Sequence, residues 1–141
     1  IYLRSTTDGA VLVGTGDHGD PVDDADTLTD DIDSDHLARI YGLVTRLMPV
    51  FSGSEYCAGW TGPYDITPDW NPVVGPVPNV DGVYVAVGFS GHGFKLAPTI
   101  GEALARTVLG LEPEVPIDMY SMDRFDRGMQ LKGAYGIGSI A

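Results

Sequence analysis

The fold of this chain is decided by the stretch VYVAVGFSGHGFKLAPTIGEALARTVLG at residues 83–110. Its opening residues, 83–87, are apolar and mostly β-branched, a composition that is typical of a strand buried on both faces. Residues 88–95 contain three glycines, whose backbone can adopt positive φ and approach a ligand closely. This half of the stretch therefore predicts a buried strand that runs into a glycine-rich loop.

The second half of the stretch has the pattern of an amphipathic helix at residues 98–109. Pro98 is tolerated in the first turn of a helix, where its missing N–H would have no partner. Apolar residues then recur at helical spacing until Gly110, which is a natural stop signal. A strand, a glycine loop and a helix in this order direct the positive end of a helix dipole at an electron-rich group.

Further elements are predicted upstream of this stretch. Residues 1–6 and 10–14 have the composition of two strands, and the Asp-Gly pair between them favours a hairpin turn. Ser34 is a candidate helix N-cap, an apolar stripe follows it, and Pro49 ends the pattern, which suggests a helix that covers a sheet. Residues 55–64 are expected to form a long, bent strand.

The charge of the chain excludes some partners. The formal net charge is −12, from 20 acidic and 8 basic side chains, so a nucleic acid or an anionic membrane would be repelled. No apolar run approaches the ~20 residues that a membrane span needs. Nine of the sixteen aspartates lie at residues 17–35. A solvated loop is expected there, with a calcium site as the alternative, and no metal site is predicted because no distal Glu follows.

The segment GTGDHG at residues 14–19 matches the glycine spacing of a dinucleotide-binding fingerprint. That fingerprint requires a helix that opens at its third glycine, whereas an acidic segment without an apolar helical face follows here. We therefore interpret the match as a coincidence.

Two motifs resemble one enzyme family. GFSGHGFKLAP at residues 88–98, with TPDWNPVVGP at residues 67–76 upstream, resembles the C-terminal third of the D-amino-acid oxidase/sarcosine oxidase superfamily of FAD-dependent amine oxidoreductases. Within it, the sequence is similar to sarcosine and dimethylglycine oxidising enzymes. The resemblance covers most of residues 57–109 and implies FAD as the cofactor. The chain also begins on Ile1 within an apolar segment, and we expect it to be a C-terminal piece of a longer protein.

The resemblance implies an α+β fold in two parts and a tail. Residues 1–72 would belong to a substrate-binding domain built on a mixed or antiparallel sheet. Residues 73–112 would form the last strand–loop–helix of a Rossmann-like FAD-binding domain, with the flavin loop at 88–95 and the helix at 98–109. Residues 113–141 would be a C-terminal tail, glycine-rich at its end.

The resemblance also implies a site. The cofactor-binding residues would be Ser90, Gly91, His92, Gly93, Phe94 and Lys95. Backbone N–H groups and a helix dipole at this loop would stabilise negative charge on a reduced flavin. Lys95 matches the lysine that holds the substrate carboxylate in sarcosine oxidases, and Tyr64 occupies the position of a carboxylate-binding arginine in related oxidases. The alternatives are a solvated Lys95, a core aromatic at Tyr64, and His92 as a base.

The implied function is that of an FAD-dependent oxidoreductase acting on CH–NH donors. It would oxidise a sarcosine- or dimethylglycine-like secondary or tertiary amino acid by hydride transfer to flavin. Its partners would be this small amine substrate and an N-terminal Rossmann part of the same protein, without which the fragment is expected to be inactive. The alternative is a non-catalytic C-terminal module, or a subunit that completes another chain's flavin site. The single cysteine, Cys57, is expected to be buried and favours a reducing, cytoplasmic location.

Overall fold

The computed structural model describes residues 1–16 and 24–132. The end of the GTGDHG motif, the first part of the aspartate run and the glycine-rich end of the predicted tail lie outside these residues. The chain divides into two compact units, Ile1–Pro63 and Tyr64–Ala141, which are described in turn. Their assignment to a substrate-binding and an FAD-binding domain stays a prediction.

The first unit begins with a β-hairpin. Strand β1, Tyr2–Ser5, pairs antiparallel with strand β2, Val11–Gly14, so that Leu3 lies opposite Val13. Gly9 occupies the turn at a φ of 88°, a conformation that glycine adopts without strain. The predicted hairpin and its Asp-Gly turn are confirmed.

Helix α1, Ser34–Leu47, follows in the first unit. Its N-cap is Asp33 rather than the serine that was predicted, because the Asp33 carboxylate accepts the N–H groups of Asp35 and His36 at 2.9 and 2.8 Å. A carboxylate at this position also interacts favourably with the positive end of the helix dipole. The helix ends before Pro49, as predicted.

Helix α1 packs on the turn that follows it. Of its apolar stripe only Val44 is buried, whereas Tyr41 and Leu47 are 43% and 58% exposed. The Tyr41 hydroxyl donates a hydrogen bond to the Ser52 carbonyl (2.8 Å) in a 3-10 helix at Pro49–Gly53. Within the described residues, α1 therefore packs on a neighbouring turn rather than on the predicted sheet.

Residues 54–63 form no strand, so the long strand predicted for this segment is wrong. A strand needs a ladder of hydrogen bonds to a neighbour, and two glycines and a proline weaken that tendency here. Thr61 is attached to the preceding segment by its N–H, which donates to the Asp30 carbonyl at 3.0 Å, and by its hydroxyl, which donates to the Thr29 carbonyl at 2.9 Å. Cys57 is exposed, so its predicted burial is wrong as well.

The second unit is built on a two-stranded antiparallel sheet and one long helix. Strand β3, Val73–Pro76, pairs with strand β4, Tyr84–Val87, and Val74 lies opposite Ala86. Helix α2, Gly93–Val108, packs on both strands. The core of the unit contains Val74, Ile100, Ala103 and Ile117.

The two strands of this sheet differ in burial. Val73 and Val74 of β3 are buried, whereas β4 is mostly exposed, with Val87 at 48%. A strand buried on both faces was predicted for β4, and in the described part of the chain this is wrong. The strands differ because β3 is contacted by helix α2 and by two 3-10 helices later in the chain, whereas the main helical neighbour of β4 is α2, which leaves much of β4 uncovered.

Helix α2 begins at Gly93, not at Pro98 as predicted, so the last residues of the expected loop form its first turn. The Leu96 N–H already donates to the His92 carbonyl at 3.3 Å. Pro98 lies inside the helix, where it removes one hydrogen bond to the carbonyl four residues before it. That carbonyl belongs to Phe94, which is 99% exposed, so water can satisfy it.

The end of α2 is a glycine cap. Gly110 has a φ of 70°, and its N–H donates to the Thr107 carbonyl at 3.0 Å. The Leu111 N–H donates to the Arg106 carbonyl at 2.8 Å, which completes a Schellman motif. The predicted stop at Gly110 is confirmed, and the helix ends one residue before the predicted bound.

After the helix, the chain passes through two 3-10 helices, Asp118–Tyr120 and Met122–Arg124, which both contact β3. Ile117 joins the core, and Arg124, the last residue of the second 3-10 helix, is buried. Neither α1 nor α2, the α-helices of the described residues, has the length and apolar character needed to cross a membrane.

Candidate functional site

The loop between β4 and α2 has an unusual backbone. Gly88, Ser90 and Gly91 have φ values of 69°, 51° and 85°. Of the three, Ser90 has the conformation with the highest energy, because a residue with a side chain is disfavoured in this left-handed region. Ser90 is also fully buried. Such a conformation persists only when surrounding contacts fix it, which makes the partners of Ser90 informative.

The Ser90 side chain is fixed by the turn at residues 67–71. Its Oγ accepts the Thr67 N–H at 3.1 Å and donates to the Gly88 carbonyl at 3.2 Å. The Thr67 hydroxyl oxygen lies 3.4 Å from the same Oγ. These contacts join the loop to a segment 23 residues earlier and satisfy a buried hydroxyl.

Asp65 holds the start of the loop. Its Oδ2 accepts the N–H groups of Gly88 at 2.7 Å and Phe89 at 3.2 Å, and its backbone carbonyl accepts the Ser90 N–H at 3.3 Å. Where β4 ends, its backbone N–H groups no longer have hydrogen-bond acceptors on the neighbouring strand. The Asp65 carboxylate supplies acceptors for two consecutive N–H groups instead. The loop therefore leaves the strand in a defined direction.

Two predicted site residues meet at Gly91. A Cβ placed on Gly91 would lie 3.0 Å from Cε1 of Tyr64, so the tyrosine ring contacts the loop backbone directly. Tyr64 remains 44% exposed, which makes it neither a core aromatic nor a solvated side chain. The structure thus places Tyr64 beside the loop at residues 88–95, and its role in positioning a substrate stays a prediction.

His92 closes the loop onto itself. Its backbone N–H donates to the Phe89 carbonyl at 2.8 Å, and its Nδ1 lies 3.2 Å from the same oxygen. A carbonyl oxygen only accepts, so Nδ1 carries the hydrogen in this contact. His92 therefore supports the loop, which favours its structural role over that of a base.

Lys95 and Phe94 lie in the first turn of α2, and both are exposed. Among the described residues, no side chain caps this end of the helix. The N–H groups of the first turn have no intrahelical partners, so this end can receive an electron-rich group.

The buried pair Asp69–Arg124 lies behind the loop and was not predicted. Each residue is 1% exposed, and Arg124 Nε and Nη2 donate to the two Asp69 carboxylate oxygens at 2.9 Å. The Leu131 N–H adds a hydrogen bond to Asp69 at 3.0 Å. The sequence indicated Asp69 only as an Asx-turn residue, which it also is, since it accepts the Asn71 N–H at 3.1 Å.

Asp69 stays ionised in this environment. Burial raises its pKa, but hydrogen bonds from Arg124, Leu131 and Asn71, with the Arg124 charge, outweigh burial and lower the pKa to about 2. Elsewhere in the described ranges, no group of His, Cys, Asp or Glu side chains is arranged to hold a metal ion.

Comparison with known proteins gives consistent matches. A family model described as DAO, FAD dependent oxidoreductase, matches residues 1–107. The chain is 32% identical over 135 residues to FAD-dependent oxidoreductase domain-containing protein 1 of Mus musculus, a match that covers 94% of this chain and 28% of that protein. It is 31% identical over 90 residues to N-methyl-L-tryptophan oxidase of Salmonella typhimurium, covering 64% of this chain and 24% of that protein.

A solved structure extends the likeness to the fold. The crystal structure of L-proline dehydrogenase from P. horikoshii superposes with a TM-score of 0.78 and 31% sequence identity, and the match covers 92% of this chain and 33% of that one. The chain therefore spans a third or less of the length of each of these relatives.

Proposed function

The chain belongs to the DAO family of FAD-dependent oxidoreductases, and from this premise we propose that it is the C-terminal part of an enzyme that oxidises a secondary or tertiary amino acid. FAD is the cofactor of the family. The observation that carries the proposal is the loop at residues 88–95, with its positive-φ backbone and the uncapped helix start behind it. The main dinucleotide site would lie in an N-terminal Rossmann part of the same protein.

The loop fits a flavin by its chemistry. When bound, FAD would supply the hydride acceptor. The N–H groups of the first turn of α2, which begins at Gly93, and the positive end of the α2 dipole suit the edge of a ring that gains negative charge on reduction. Asp65, Thr67 and His92 hold these groups in place beforehand, so no reorganisation is needed when charge develops.

Lys95 is proposed to hold the substrate carboxylate. A cation in the first turn of a helix is mildly unfavourable against the dipole, and an anionic ligand between the two would remove that penalty. Tyr64, whose ring contacts Gly91, would shape the same space from the other side of the loop. Neither residue needs to exchange a proton for this role, since both act by orienting the substrate.

The names of the relatives support the substrate class. N-methyl-L-tryptophan and L-proline are both secondary amino acids, in which an alkylated nitrogen and a carboxylate share one carbon. A sarcosine- or dimethylglycine-like substrate has the same arrangement. The cytoplasm is the proposed location, since the chain has one cysteine and that cysteine is exposed.

The test uses the full-length protein, purified and examined by visible absorption. Sarcosine, dimethylglycine, N-methyl-L-tryptophan and L-proline are mixed with it under anaerobic conditions, with pyrrolidine as the control because it is proline without the carboxylate. We expect a yellow protein that is bleached by at least one of the acids and much more slowly by pyrrolidine. A colourless full-length protein would indicate a non-catalytic module. A yellow protein bleached by none of the acids would exclude the substrate class.

A further inference from the structure

Every N–H group of the buried Arg124 guanidinium has an acceptor. Its Nε and Nη2 donate to Asp69, Nη2 also donates to the Asn71 carbonyl at 2.8 Å, and Nη1 donates to the carbonyls of Tyr120 at 2.9 Å and Ser121 at 3.1 Å. The planar fork of a guanidinium satisfies these directions together, and a lysine ammonium, whose three donors radiate from one nitrogen, would not.

Two of the residues that accept hydrogen bonds from Arg124, Asp69 and Asn71, lie in the turn that contains Thr67. The Thr67 hydroxyl donates to the Asn71 carbonyl at 2.8 Å, so this carbonyl receives both Thr67 and Arg124. The same hydroxyl lies 3.3 Å from Oδ1 of Asp69. Arg124 therefore fixes the two groups that orient the Thr67 side chain.

Thr67 in turn holds Ser90 in its left-handed conformation. The Thr67 N–H donates to Ser90 Oγ at 3.1 Å, the Thr67 hydroxyl oxygen lies 3.4 Å from the same Oγ, and that Oγ donates to the Gly88 carbonyl at 3.2 Å. A residue with a side chain is strained at a φ of 51°, and these contacts must offset that strain. A continuous set of hydrogen bonds thus joins Arg124 to the loop.

We infer that Arg124 is a positioning residue for the flavin loop, acting through Asp69, Thr67 and Ser90 on the N–H groups that begin α2. At 1% exposure its side chain cannot contact a substrate, so its effect is transmitted by these residues. The inference rests on the proposed function, in which those N–H groups meet the flavin.

A purely structural role and a positioning role differ in one measurable quantity. A residue that only stabilises the fold changes stability and flavin retention, but the flavin that remains bound keeps its reduction potential. A residue that aims N–H groups at the ring also changes how much more tightly the reduced form is held than the oxidised form. The reduction potential of the bound flavin is therefore the decisive readout.

The experiment compares variants of the full-length flavoprotein. Arg124→Lys keeps the charge and loses the fork, Thr67→Val removes the hydroxyl at constant shape, and Ser90→Gly removes Oγ while tolerating positive φ. Thr67→Ser is the conservative control. Arg127→Gln is the matched control, because Arg127 lies in the same segment but forms an exposed pair with Asp123 at 3.0 Å.

We expect Arg124→Lys and Thr67→Val to lower, by about tenfold, the ratio of the affinity for reduced flavin to the affinity for oxidised flavin. For a two-electron couple this corresponds to a reduction potential about 30 mV more negative. Thr67→Ser and Arg127→Gln should keep the wild-type potential. Thr67→Val and Ser90→Gly should not be additive when combined, because they break the same connection.

Two results would overturn the inference. If Thr67→Val and Ser90→Gly keep the wild-type potential, Arg124 has only a structural role, and this conclusion does not depend on whether Arg124→Lys folds. If the wild-type protein contains no flavin, the proposed function fails and the inference fails with it. A flavin-containing wild type whose variants show no shift would remove the inference alone.

Discussion

The turn at residues 67–71 and the first turn of α2 both contact the loop at residues 88–92, but their polar groups differ in burial and in hydrogen bonding. In the first region, Asp69 and the Arg124 that pairs with it are each 1% exposed, and their donors and acceptors are matched within the chain. In the second region, Phe94 is 99% exposed and no side chain caps the helix among the described residues. The polar groups of the first region are therefore buried and hydrogen-bonded within the protein, whereas the side chains of the second region are exposed to solvent.

The contrast separates two kinds of residue. Removing a group from the buried turn leaves a partner unsatisfied, so the expected effect is on the free energy of unfolding. Side chains at the helix start, such as Lys95, are exposed, so the expected effect of their removal is on a ligand. The predictions below test this division, beginning with the largest effect.

Asp69→Asn should lower the free energy of unfolding by about 3–5 kcal/mol, because it leaves the buried Arg124 charge without its counterion. The shift in the urea midpoint, with an unchanged slope, measures this loss. The matched control is Asp123→Asn, which breaks the exposed pair with Arg127 at an expected cost of about 0.3–0.5 kcal/mol. Equal losses in the two variants would contradict the division between the regions.

The same division explains what could be predicted from the sequence. The hairpin, the two helices and the Gly110 stop follow from local patterns, because turn chemistry, helical spacing and caps act within a few residues. The helix bounds were less accurate at their starts, where Asp33 replaced a serine as the cap and Pro98 proved compatible with a helix interior. Both corrections depend on hydrogen bonds to groups that spacing does not specify.

Long-range features were missed for a physical reason. Asp69 and Arg124 are 55 residues apart, and no local pattern says which of sixteen aspartates pairs with which of six arginines. The resemblance drew attention to residues 88–95, and the structure added Asp65 and Thr67 as the residues that hold this loop. A threonine and an aspartate in a proline-flanked turn were visible signals, but their partners lay more than twenty residues ahead.

Lys95→Met in the full-length enzyme should lower kcat/KM by about ten- to a hundredfold for carboxylated amines, since a charge-assisted contact is worth about 1.5–3 kcal/mol. The loss should be small for pyrrolidine, and flavin content should stay near normal because the loop meets the ring through its backbone. Stopped-flow flavin reduction measures both substrates. Lys132→Met is the control, as it removes the other lysine of the chain. Equal losses with the two substrates would mean that Lys95 supports the flavin or the fold.

The buried pair should also give the protein an acid-sensitive contribution to stability. The pKa of Asp69 is lowered from 3.8 to about 2. Its contribution to the free energy of unfolding is therefore fully present above about pH 3.8 and is lost as the pH falls through about 2. A shift of this size corresponds to about 2 kcal/mol. We therefore expect urea unfolding at a series of pH values to show that the difference in free energy of unfolding between wild type and Asp69→Asn becomes smaller as the pH is lowered. A gap that stays constant with pH would contradict the ionised, hydrogen-bonded state of Asp69.

The smallest effect concerns the loop backbone that joins the two regions. Gly91→Ala should lower the free energy of unfolding by about 1–2 kcal/mol, because a side chain at a φ of 85° is strained and its Cβ would lie 3.0 Å from the Tyr64 ring. Gly101→Ala is the opposite control. Gly101 lies in α2 with nothing within 4 Å of a Cβ, so this change should stabilise the protein by up to about 1 kcal/mol.

Combining Gly91→Ala with Tyr64→Ser separates the two causes of that loss. If the ring contact dominates, the combined variant recovers most of the stability, because the serine is too small to meet the new Cβ. If the backbone conformation dominates, the loss persists, and the loop is fixed by φ alone. A Gly91→Ala variant as stable as wild type would show that the loop can take another conformation. In that case the contacts of the buried turn would not fix the conformation of the loop that leads into α2. The turn at residues 67–71 would then not determine the position of the helix start.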